Sequence, residues 1–340
     1  MANTQELETV ARGLVAKGKG ILAADESMGT IKRRFDSIKI ESNEENRRAY
    51  REMLFTTKGI EEAISGVILF DETLRTTASD GTRFAQLLSK KGIMPGIKVD
   101  RGPVDIPNFP GEVVTEGLDG LRARLKEYKD LGAKFAKWRA VISIGEDIPT
   151  YTCLAANAEA LARYATLCQE AGVVPIVEPE VLLDGSHTIQ RSEEVTEHTL
   201  KVTFTQLFLH RVYLEGMILK PSMVVPGKDS GQKASVQEVA ERTIRCLKRT
   251  VPAAVPGIAF LSGGQSAEGA TEHLNAMNAI GSLPWELTFS YARALQDPAL
   301  KAWKGDAKNI GAAQKIFYHR AKCNSAARSG SYNKQMEAAA

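Results

Sequence analysis

The sequence predicts an α/β protein built as a single (β/α)8 TIM barrel, with an N-terminal helix before it and C-terminal helices and a flexible tail after it. Three observations lead to this prediction. Eight short apolar runs alternate with helical segments, as right-handed βα units require. Polar side chains recur at the C-terminal ends of these runs. No change in composition marks an internal boundary, so residues 1–340 are predicted to form one domain.

The eight apolar runs are short and bounded by Gly, Pro or acidic residues, which is typical of strands buried on both faces. A doubly wound open sheet is the alternative architecture. It fits less well because no Gly-x-Gly-x-x-Gly turn follows the first run. In chain order the predicted strands are Gly20–Glu26, Ser65–Phe70, Met94–Asp100, Phe135–Val141, Val173–Glu180, Gly216–Met223, Gly257–Gly264 and Trp285–Tyr291.

Capping boxes and helical patterns predict the segments between the strands. The N-terminal helix falls within residues 1–18 and opens with the box Asn3–Glu6. The boxes Ser42–Glu45 and Ser235–Glu238 open two further helices. The remaining predicted segments are helices at about 118–131, 155–171, 191–214 and 291–325, and a mobile tail at about 328–340.

Composition argues against several classes of partner. The 340 residues carry 44 Lys and Arg against 41 Asp and Glu, a net charge of +3, so no nucleic-acid or membrane preference follows. The chain has no long apolar span and no signal-peptide pattern. The histidines show no metal-ligand spacing, which predicts no dedicated metal site. Four cysteines without a C-x-x-C pair indicate a reducing, cytoplasmic location: Cys153, Cys168, Cys246 and Cys323.

Lys220 stands at the C-terminal end of the sixth apolar run, Gly216–Met223. A lysine at the end of a buried strand must be paired, reach water, or lose its proton and become a neutral amine. Taken alone, the position would be explained by a side chain that reaches solvent. Five other runs carry polar groups in the same place, and this recurrence favours a functional site.

Strand parity places these polar groups on one face, because side chains alternate faces along a strand. One face of a barrel strand points at the helices and the other at the lumen. The polar groups are therefore predicted to line the lumen at the C-terminal rim, where barrel enzymes place their chemistry. The residues that share a face within one run are Asp25 with Ile21 and Ala23, Lys98 with Asp100, Lys137 with Arg139, Glu178 with Glu180, and Lys220 with Ile218.

A structural ion-pair network is the alternative explanation of these charges, and such a network should roughly neutralise itself. The predicted rim group instead carries an excess of three positive charges, which indicates an anionic ligand. The counted residues are the cations Arg34, Lys98, Lys137, Arg139, Lys220 and Arg293 and the anions Asp25, Glu178 and Glu180.

Two turns indicate that the anion is a phosphate. The turn Ser262–Ser266 leaves the seventh run and precedes a helical pattern, so its backbone N–H groups could cradle a phosphate. Arg293 follows the eighth run. The loops after strands seven and eight are the usual phosphate site of this architecture.

Several stretches occur in order along most of the chain and lie on the predicted strands. They are Gly18–Ser27, Glu44–Arg48, Gly66–Phe70, Phe135–Arg139, Pro175–Glu180, Tyr213–Gly216, Leu219–Pro221, Phe260–Ser266 and Leu287–Tyr291. In this combination the chain resembles class I fructose-1,6-bisphosphate aldolase. The resemblance implies a (β/α)8 barrel that cleaves a sugar bisphosphate through a lysine Schiff base. It also implies a homotetramer that acts in glycolysis and gluconeogenesis without a metal or other cofactor.

The resemblance implies a role for each rim residue. Lys220 would form the imine, and Lys137 would favour its neutral amine by like-charge repulsion. Glu178 would transfer the proton in carbinolamine dehydration. Asp25 would accept the hydroxyl proton that starts cleavage, and Glu180 would tune the lysines. The substrate phosphates would bind on opposite sides of the rim, one to Ser262, Gly263, Gly264 and Arg293 and the other to Ser27, Thr30, Arg34 and Lys98, with Arg139 also assigned to substrate.

The sequence departs from the family in two places. Ala292 stands where the family has glycine, which adds a methyl group near the expected phosphate. The animal enzymes end in a tyrosine that assists proton transfer, whereas this chain ends in Glu337–Ala340. The only late tyrosine, Tyr332, is followed by a stretch without an apolar anchor. The tail is therefore predicted to be a mobile end rather than a catalytic one.

Two alternative functions stay open at this point. A transaldolase or a deoxyribose-phosphate aldolase shares the lysine chemistry, but those substrates carry one phosphate rather than two. A non-catalytic sugar-phosphate-binding scaffold would need neither Lys220 nor Asp25. The sequence does not distinguish a preference for fructose 1,6-bisphosphate from one for fructose 1-phosphate.

Overall fold

The computed structural model describes residues 4–339. Within them the chain forms ten strands, twelve α-helices and four short 3-10 helices. The strands are β1 (Gly20–Ala24), β2 (Ile64–Leu69), β3 (Met94–Lys98), β4 (Gly102–Asp105), β5 (Val113–Glu116), β6 (Phe135–Ile142), β7 (Val174–Val181), β8 (Ile218–Leu219), β9 (Gly257–Phe260) and β10 (Glu286–Tyr291).

The α-helices alternate with the barrel strands and surround them. They are α1 (Thr4–Leu14), α2 (Met28–Asp36), α3 (Glu44–Phe55), α4 (Asp71–Arg75), α5 (Phe84–Lys90), α6 (Leu121–Asp130), α7 (Tyr151–Glu170), α8 (Ile189–Leu209), α9 (Val236–Thr250), α10 (Ala267–Ile280), α11 (Arg293–Trp303) and α12 (Ile310–Arg328). Among residues 4–339, no helix combines the length and hydrophobicity that a bilayer span requires.

Eight parallel strands close into one barrel in the order β1–β10–β9–β8–β7–β6–β3–β2, which confirms the predicted fold. The first and last strands of the chain meet at the closure, where Ile21 of β1 lies opposite Ser290 of β10. The strands β4 and β5 form a separate antiparallel pair that the sequence did not predict. β4 is mostly exposed and β5 mostly half-buried, so they lack the apolar pattern that identified the others.

The lower half of the barrel lumen is filled by apolar side chains from the strands and from α1. Leu7 and Leu14 of α1 pack into the same cluster as Phe135 of β6 and Ile218 of β8, so α1 contributes to this packing. Phe135 is fully buried, and a Cβ atom added to Gly96 would lie 2.3 Å from its ring. Glycine is needed at position 96 because the ring occupies the space of a side chain.

The element boundaries differ from the predicted ones where turn residues interrupt a helical pattern. The N-terminal helix ends at Leu14, and its proposed cap Asn3 lies outside the described residues. Asn43, rather than the predicted Ser42, caps α3 by accepting a hydrogen bond from the backbone N–H of Asn46. The helix predicted at 291–325 is two helices, because Lys304 and the residue after it adopt left-handed backbone angles.

The structure gives the tail an apolar anchor at Tyr332, which contradicts the prediction that this segment has none. The Tyr332 ring is 7% exposed and belongs to the main core, and its backbone N–H donates to Asn275 of α10. The following 3-10 helix, Lys334–Ala339, is fastened by an ion pair between Glu337 and Arg320 of α12. The sequence could not indicate this docking because the groove that receives the ring is formed by distant residues.

The contact between Gly96 and Phe135 gives the first testable prediction. We expect Gly96→Ala to lower the stability of the folded chain by about 1–3 kcal/mol, because the added methyl overpacks the lumen. Gly311→Ala is the matched control, since a Cβ at that position in α12 meets no atom within 4 Å. It should be neutral or stabilising by up to about 1 kcal/mol. Denaturant midpoints compare the two, and equal midpoints would contradict the packing argument.

Candidate active site

A cavity of about 830 Å³ opens at the C-terminal end of the barrel. Thirteen of the fourteen site residues predicted from the sequence line it. The remaining one, Gly264, belongs to a neighbouring depression, where a Cβ added to it would lie 3.4 Å from Arg293 Nη2. The thirteen lining residues are Asp25, Ser27, Thr30, Arg34, Lys98, Lys137, Arg139, Glu178, Glu180, Lys220, Ser262, Gly263 and Arg293.

Lys220 is buried directly after β8, with 3% of its surface exposed. Its backbone N–H donates to the carbonyl of Val177 at 2.8 Å, which fixes the residue at the end of the strand. Its Nζ lies 3.1 Å from Oε1 of Glu178. Pro221 follows and offers no N–H, so the parallel pairing with β7 stops here. The lysine therefore reaches the cavity rather than the solvent beyond it.

Lys137 of β6 lies among three carboxylates. Its Nζ is 2.8 Å from Asp25, 3.3 Å from Glu178 and 3.9 Å from Asp100. Burial alone would lower the pKa of this ammonium, but the carboxylates outweigh it and raise the pKa. The sequence predicted only that these two lysines are neighbours. In the structure they are joined through Glu178, because Lys137 and Lys220 bind its two different oxygens.

Asp25 is held in its ionised form. Burial would raise the pKa of this carboxyl, but the nearby ammonium groups of Lys137 and Lys220 lower it well below its usual range. Its Oδ2 accepts the short contact from Lys137 Nζ. At neutral pH the cavity therefore presents an anionic oxygen that can accept a proton.

Glu180 does not contact either lysine, so the role implied for it needs correction. Its Oε2 accepts a hydrogen bond from Nε of Arg139 at 2.5 Å, and it forms no other ion pair within the described chain. Burial opposes the charge of Arg139, but Glu180 and Glu178 raise the pKa of the guanidinium. Glu180 thus orients Arg139 toward the cavity.

The turn after β9 and the start of α11 carry the residues predicted to bind one phosphate. Ser262 is buried, and the two glycines after it adopt positive φ angles of 57° and 93° that close the turn onto Gln265. Glycine is required there because other residues rarely adopt such angles. Arg293 begins α11 with an exposed side chain that pairs with no carboxylate among residues 4–339. An uncompensated guanidinium beside free backbone N–H groups suits a phosphate.

The loop after β1 supplies a second polar group. Ser27 and Thr30 share a hydrogen bond of 3.2 Å between their hydroxyls. Arg34 is not free, because its Nη1 lies 2.5 Å from the buried carboxylate of Glu26. Burial would raise the pKa of Glu26, but Arg34 and Arg51 lower it. Arg34 therefore lines the cavity as a cation that is already paired.

The two sets of residues predicted to bind phosphate do not lie on opposite sides of the rim. The strand β1 pairs directly with β10, so Ser27 and the first turn of α2, which carries Thr30, lie next to Arg293. Lys98 contributes from β3, two strands away in the other direction, where its Nζ lies 2.6 Å from Asp100. The sequence could not reveal this arrangement because it depends on how the barrel closes.

The cavity lining has the same excess of positive charge as the predicted rim group, although more residues contribute to it. The cavity lining holds nine Lys or Arg and six Asp or Glu side chains, again an excess of three. Strand parity places Asp100 on the lumen face with Lys98, but the predicted charge count omits it. The spacing of Asp297 and Lys301, at i+4 and i+8 from Arg293, could have indicated two further residues. The charged lining residues that the sequence analysis did not identify are Glu26, Arg33, Arg101, Asp297 and Lys301.

One buried polar atom in the cavity has neither a hydrogen-bond partner nor an ion-pair partner among residues 4–339. It is Oγ of Ser290, which is 1% exposed, whereas Oε2 of Glu178 lies 3.3 Å from Nζ of Lys137. Buried polar atoms are normally satisfied, so an unpaired one in a cavity indicates a ligand that completes it. Together with the buried lysines, this indicates a polar ligand rather than an apolar one.

Comparison with known proteins identifies the family. A family model described as "Fructose-bisphosphate aldolase class-I" matches residues 6–340. A protein of Xanthomonas campestris described as "Probable fructose-bisphosphate aldolase class 1" is 58% identical over 329 residues, which cover 96% of this chain and 98% of that protein. "Fructose-bisphosphate aldolase 4, cytosolic" of Arabidopsis thaliana is 54% identical over 97% of this chain and 84% of its own length.

A solved structure agrees with these relatives. The fructose-bisphosphate aldolase of Plasmodium falciparum, crystallised with TRAP and a small-molecule inhibitor, superimposes with a TM-score of 0.96 and is 50% identical. The match covers 97% of this chain and 95% of that one. The barrel, its rim chemistry and these similarities together lead to one conclusion: this chain belongs to the class I fructose-bisphosphate aldolase family.

Proposed function

We propose that this chain reversibly cleaves fructose 1,6-bisphosphate to dihydroxyacetone phosphate and glyceraldehyde 3-phosphate through an imine on Lys220, as a lyase of glycolysis and gluconeogenesis. The observation that carries the proposal is the position of Lys220. Its Nζ is buried at the end of β8, 3.1 Å from the carboxylate of Glu178, inside a cavity with an excess of positive charge.

Cleavage of a C–C bond next to a ketone needs an acceptor for two electrons, and a protonated imine is a better acceptor than a carbonyl. In the proposed sequence, the neutral amine of Lys220 adds to carbon two of the sugar and gives a carbinolamine. Glu178 lies against Lys220 and against Lys137, so it can pass the proton that turns the leaving hydroxyl into water.

Asp25 is the proposed base for the cleavage step. Because its carboxylate is ionised, it can accept the proton of the hydroxyl on carbon four. The C3–C4 bond then breaks, its electron pair moves into the iminium, and an enamine remains on Lys220. The ammonium of Lys137, 2.8 Å from Asp25, keeps the base ionised and oriented until the substrate arrives.

The enamine must gain a proton at carbon three before dihydroxyacetone phosphate leaves. Tyr332 is a poor candidate for this donor, because it does not line the cavity and its hydroxyl donates to Glu337 at 2.8 Å. We assign the step to Glu178 or to water, with Glu178 favoured because its carboxylate lies 3.1 Å from Nζ of Lys220, which carries the enamine.

Two anion sites support a substrate with two phosphates. One phosphate would bind Ser262, Gly263, Gly264 and Arg293, and the other would bind Ser27 and Thr30 with Arg34 and Lys98, as the resemblance implies. The loops that carry the first set leave β9 and β10, and the second set lies chiefly after β1. A transaldolase or a binding scaffold would have no use for both sites together with Asp25.

The assembly and location are also proposals. We propose a homotetramer, as expected for the family, and a cytoplasmic location. Phe208 and Leu209 at the end of α8 are 80% and 62% exposed, which leaves apolar surface that a subunit interface would cover. The cysteines are all free and buried, which fits a reducing compartment.

The assignment of Lys220 is tested by trapping. Borohydride reduction in the presence of labelled dihydroxyacetone phosphate should attach the label covalently to Lys220, because borohydride reduces the imine to a stable amine. Lys220→Met should abolish both turnover and trapping, since no neighbouring group supplies the electron sink. Lys228→Met, at an exposed lysine that pairs with Asp184, is the control and should keep both. Label on another residue would overturn the assignment.

Arg293 tests the anion site at the start of α11. Arg293→Ala should raise KM for fructose 1,6-bisphosphate and for fructose 1-phosphate about thirtyfold, because a charge-assisted hydrogen bond of about 2 kcal/mol is lost. Arg122→Ala removes an exposed arginine that pairs with Glu170 and should leave KM unchanged. Unchanged constants in Arg293→Ala would rule out a phosphate at this position.

Tyr332 tests whether the tail takes part in proton transfer. Tyr332→Phe should keep the cleavage rate within about threefold, or about 0.65 kcal/mol, because the ring stays docked. Tyr332→Ala should cost about 3 kcal/mol of stability through loss of the buried ring, and deletion of 329–340 should have the same effect. The role of the hydroxyl is measured by proton exchange at carbon three of dihydroxyacetone phosphate. If exchange collapses in Tyr332→Phe while trapping persists, the hydroxyl reaches the site.

A further inference from the structure

A cluster of three metal-ligating side chains lies away from the cavity, between α12 and the tail. It consists of His319 and Cys323 of α12 and Glu337 of the tail, and we call it the tail cluster. One ligand atom from each residue lies within 4.8 Å of the other two. None of the three lines the cavity at the barrel mouth, so the aldol chemistry does not account for them.

The geometry of the helical pair matches a tetrahedral metal site. His319 and Cys323 are four residues apart, so they lie on the same face of α12. The distance between His319 Nε2 and Cys323 Sγ is 3.5 Å. Bond lengths of about 2.3 Å to sulfur and about 2.0–2.1 Å to nitrogen at a tetrahedral angle also require about 3.5 Å between these atoms.

The electrostatics of the tail cluster suit a divalent ion. Glu337 pairs with the guanidinium of Arg320 and accepts a hydrogen bond from Tyr332, so it presents an oriented oxygen ligand. A bound dication would displace the proton of the Cys323 thiol, as metals do at cysteine. The thiolate and the carboxylate would then supply two anionic ligands.

Access and ligand supply are also in place. Cys323 is fully buried, but His319 and Glu337 are half-buried, so an ion can reach the sulfur from the surface between them. Glu337 binds Arg320 through one oxygen and accepts from Tyr332 through the other. Each carboxylate oxygen has a further lone pair, so these contacts can orient the ligand as outer-shell partners. The sequence analysis did not predict this site because the third ligand, Glu337, comes from the tail.

We propose that His319, Cys323 and Glu337 bind a zinc-like transition-metal ion that fastens the tail to α12. Neutral His319 binds through Nε2, Cys323 binds as the thiolate after releasing one proton to solvent, Glu337 binds through one oxygen, and a water fills the fourth position. Nitrogen, sulfur and oxygen ligands of this kind favour Zn²⁺ over Mg²⁺ or Ca²⁺. The site is structural and leaves the metal-independent cleavage reaction unchanged.

Cobalt titration of the full-length, chelator-treated enzyme tests the proposal. Co²⁺ should bind with one equivalent per chain and produce a thiolate-to-cobalt absorption band, and Zn²⁺ should displace it. Cys323→Ser should remove the band, and His319→Gln should weaken binding at least about tenfold. Cys168→Ser is the matched control, because that buried cysteine of α7 lies outside the tail cluster. His319→Gln decides the question if Cys323→Ser fails to fold.

The effect on the tail gives a second readout. Zn²⁺ should slow amide hydrogen exchange at residues 332–339 in the unmodified chain but not in Glu337→Gln, while cleavage activity stays unchanged with Zn²⁺ or with EDTA. A thiolate band that persists in Cys323→Ser would overturn the proposal. So would non-saturating binding that His319→Gln does not alter, which would mean an adventitious ion only.

Discussion

The buried ammonium group of Lys137 is the interaction on which the floor of the cavity depends. A lysine buried to this degree is tolerated only when carboxylates compensate it, and here Asp25 and Asp100 do so from just after β1 and β3, and Glu178 does so from within β7. The charge therefore ties β6 and β7 to the C-terminal ends of β1 and β3. It also fixes Glu178 so that its second oxygen meets Lys220. Removal of Lys137 would leave three carboxylates facing one another.

Around this floor the charges are arranged in layers. The inner cations are paired: Arg34 and Arg51 with Glu26, Lys98 with Asp100, and Arg139 with Glu180. Gln296 of α11 extends the first of these networks, because its amide donates both to Glu26 and to the carbonyl of Ala23 in β1. The outer cations, Arg293 among them, have no such partner within residues 4–339. Incoming phosphates meet the uncompensated layer first.

The sequence predicted those features that follow from local periodicity. Strand alternation was enough to bring Asp25, Lys137 and Lys220 to the lumen, because a barrel strand has only two faces. Pairing between side chains was not predictable in the same way. Whether Glu180 meets a lysine or Arg139 depends on rotamers and on the register between β6 and β7. The docking of Tyr332 likewise depends on a groove that α10 and α12 form only after folding.

The pairing of β1 with β10 has a consequence for how the enzyme is made. Ile21 and Ser290 are neighbours in the folded barrel but lie at opposite ends of the chain. A ribosome must release nearly the whole polypeptide before this seam can form, and contacts so distant in sequence form slowly. Until then the loop with Ser27 and the arginine at 293 cannot face one substrate. A nascent or truncated chain thus keeps its lysines but has no complete binding site.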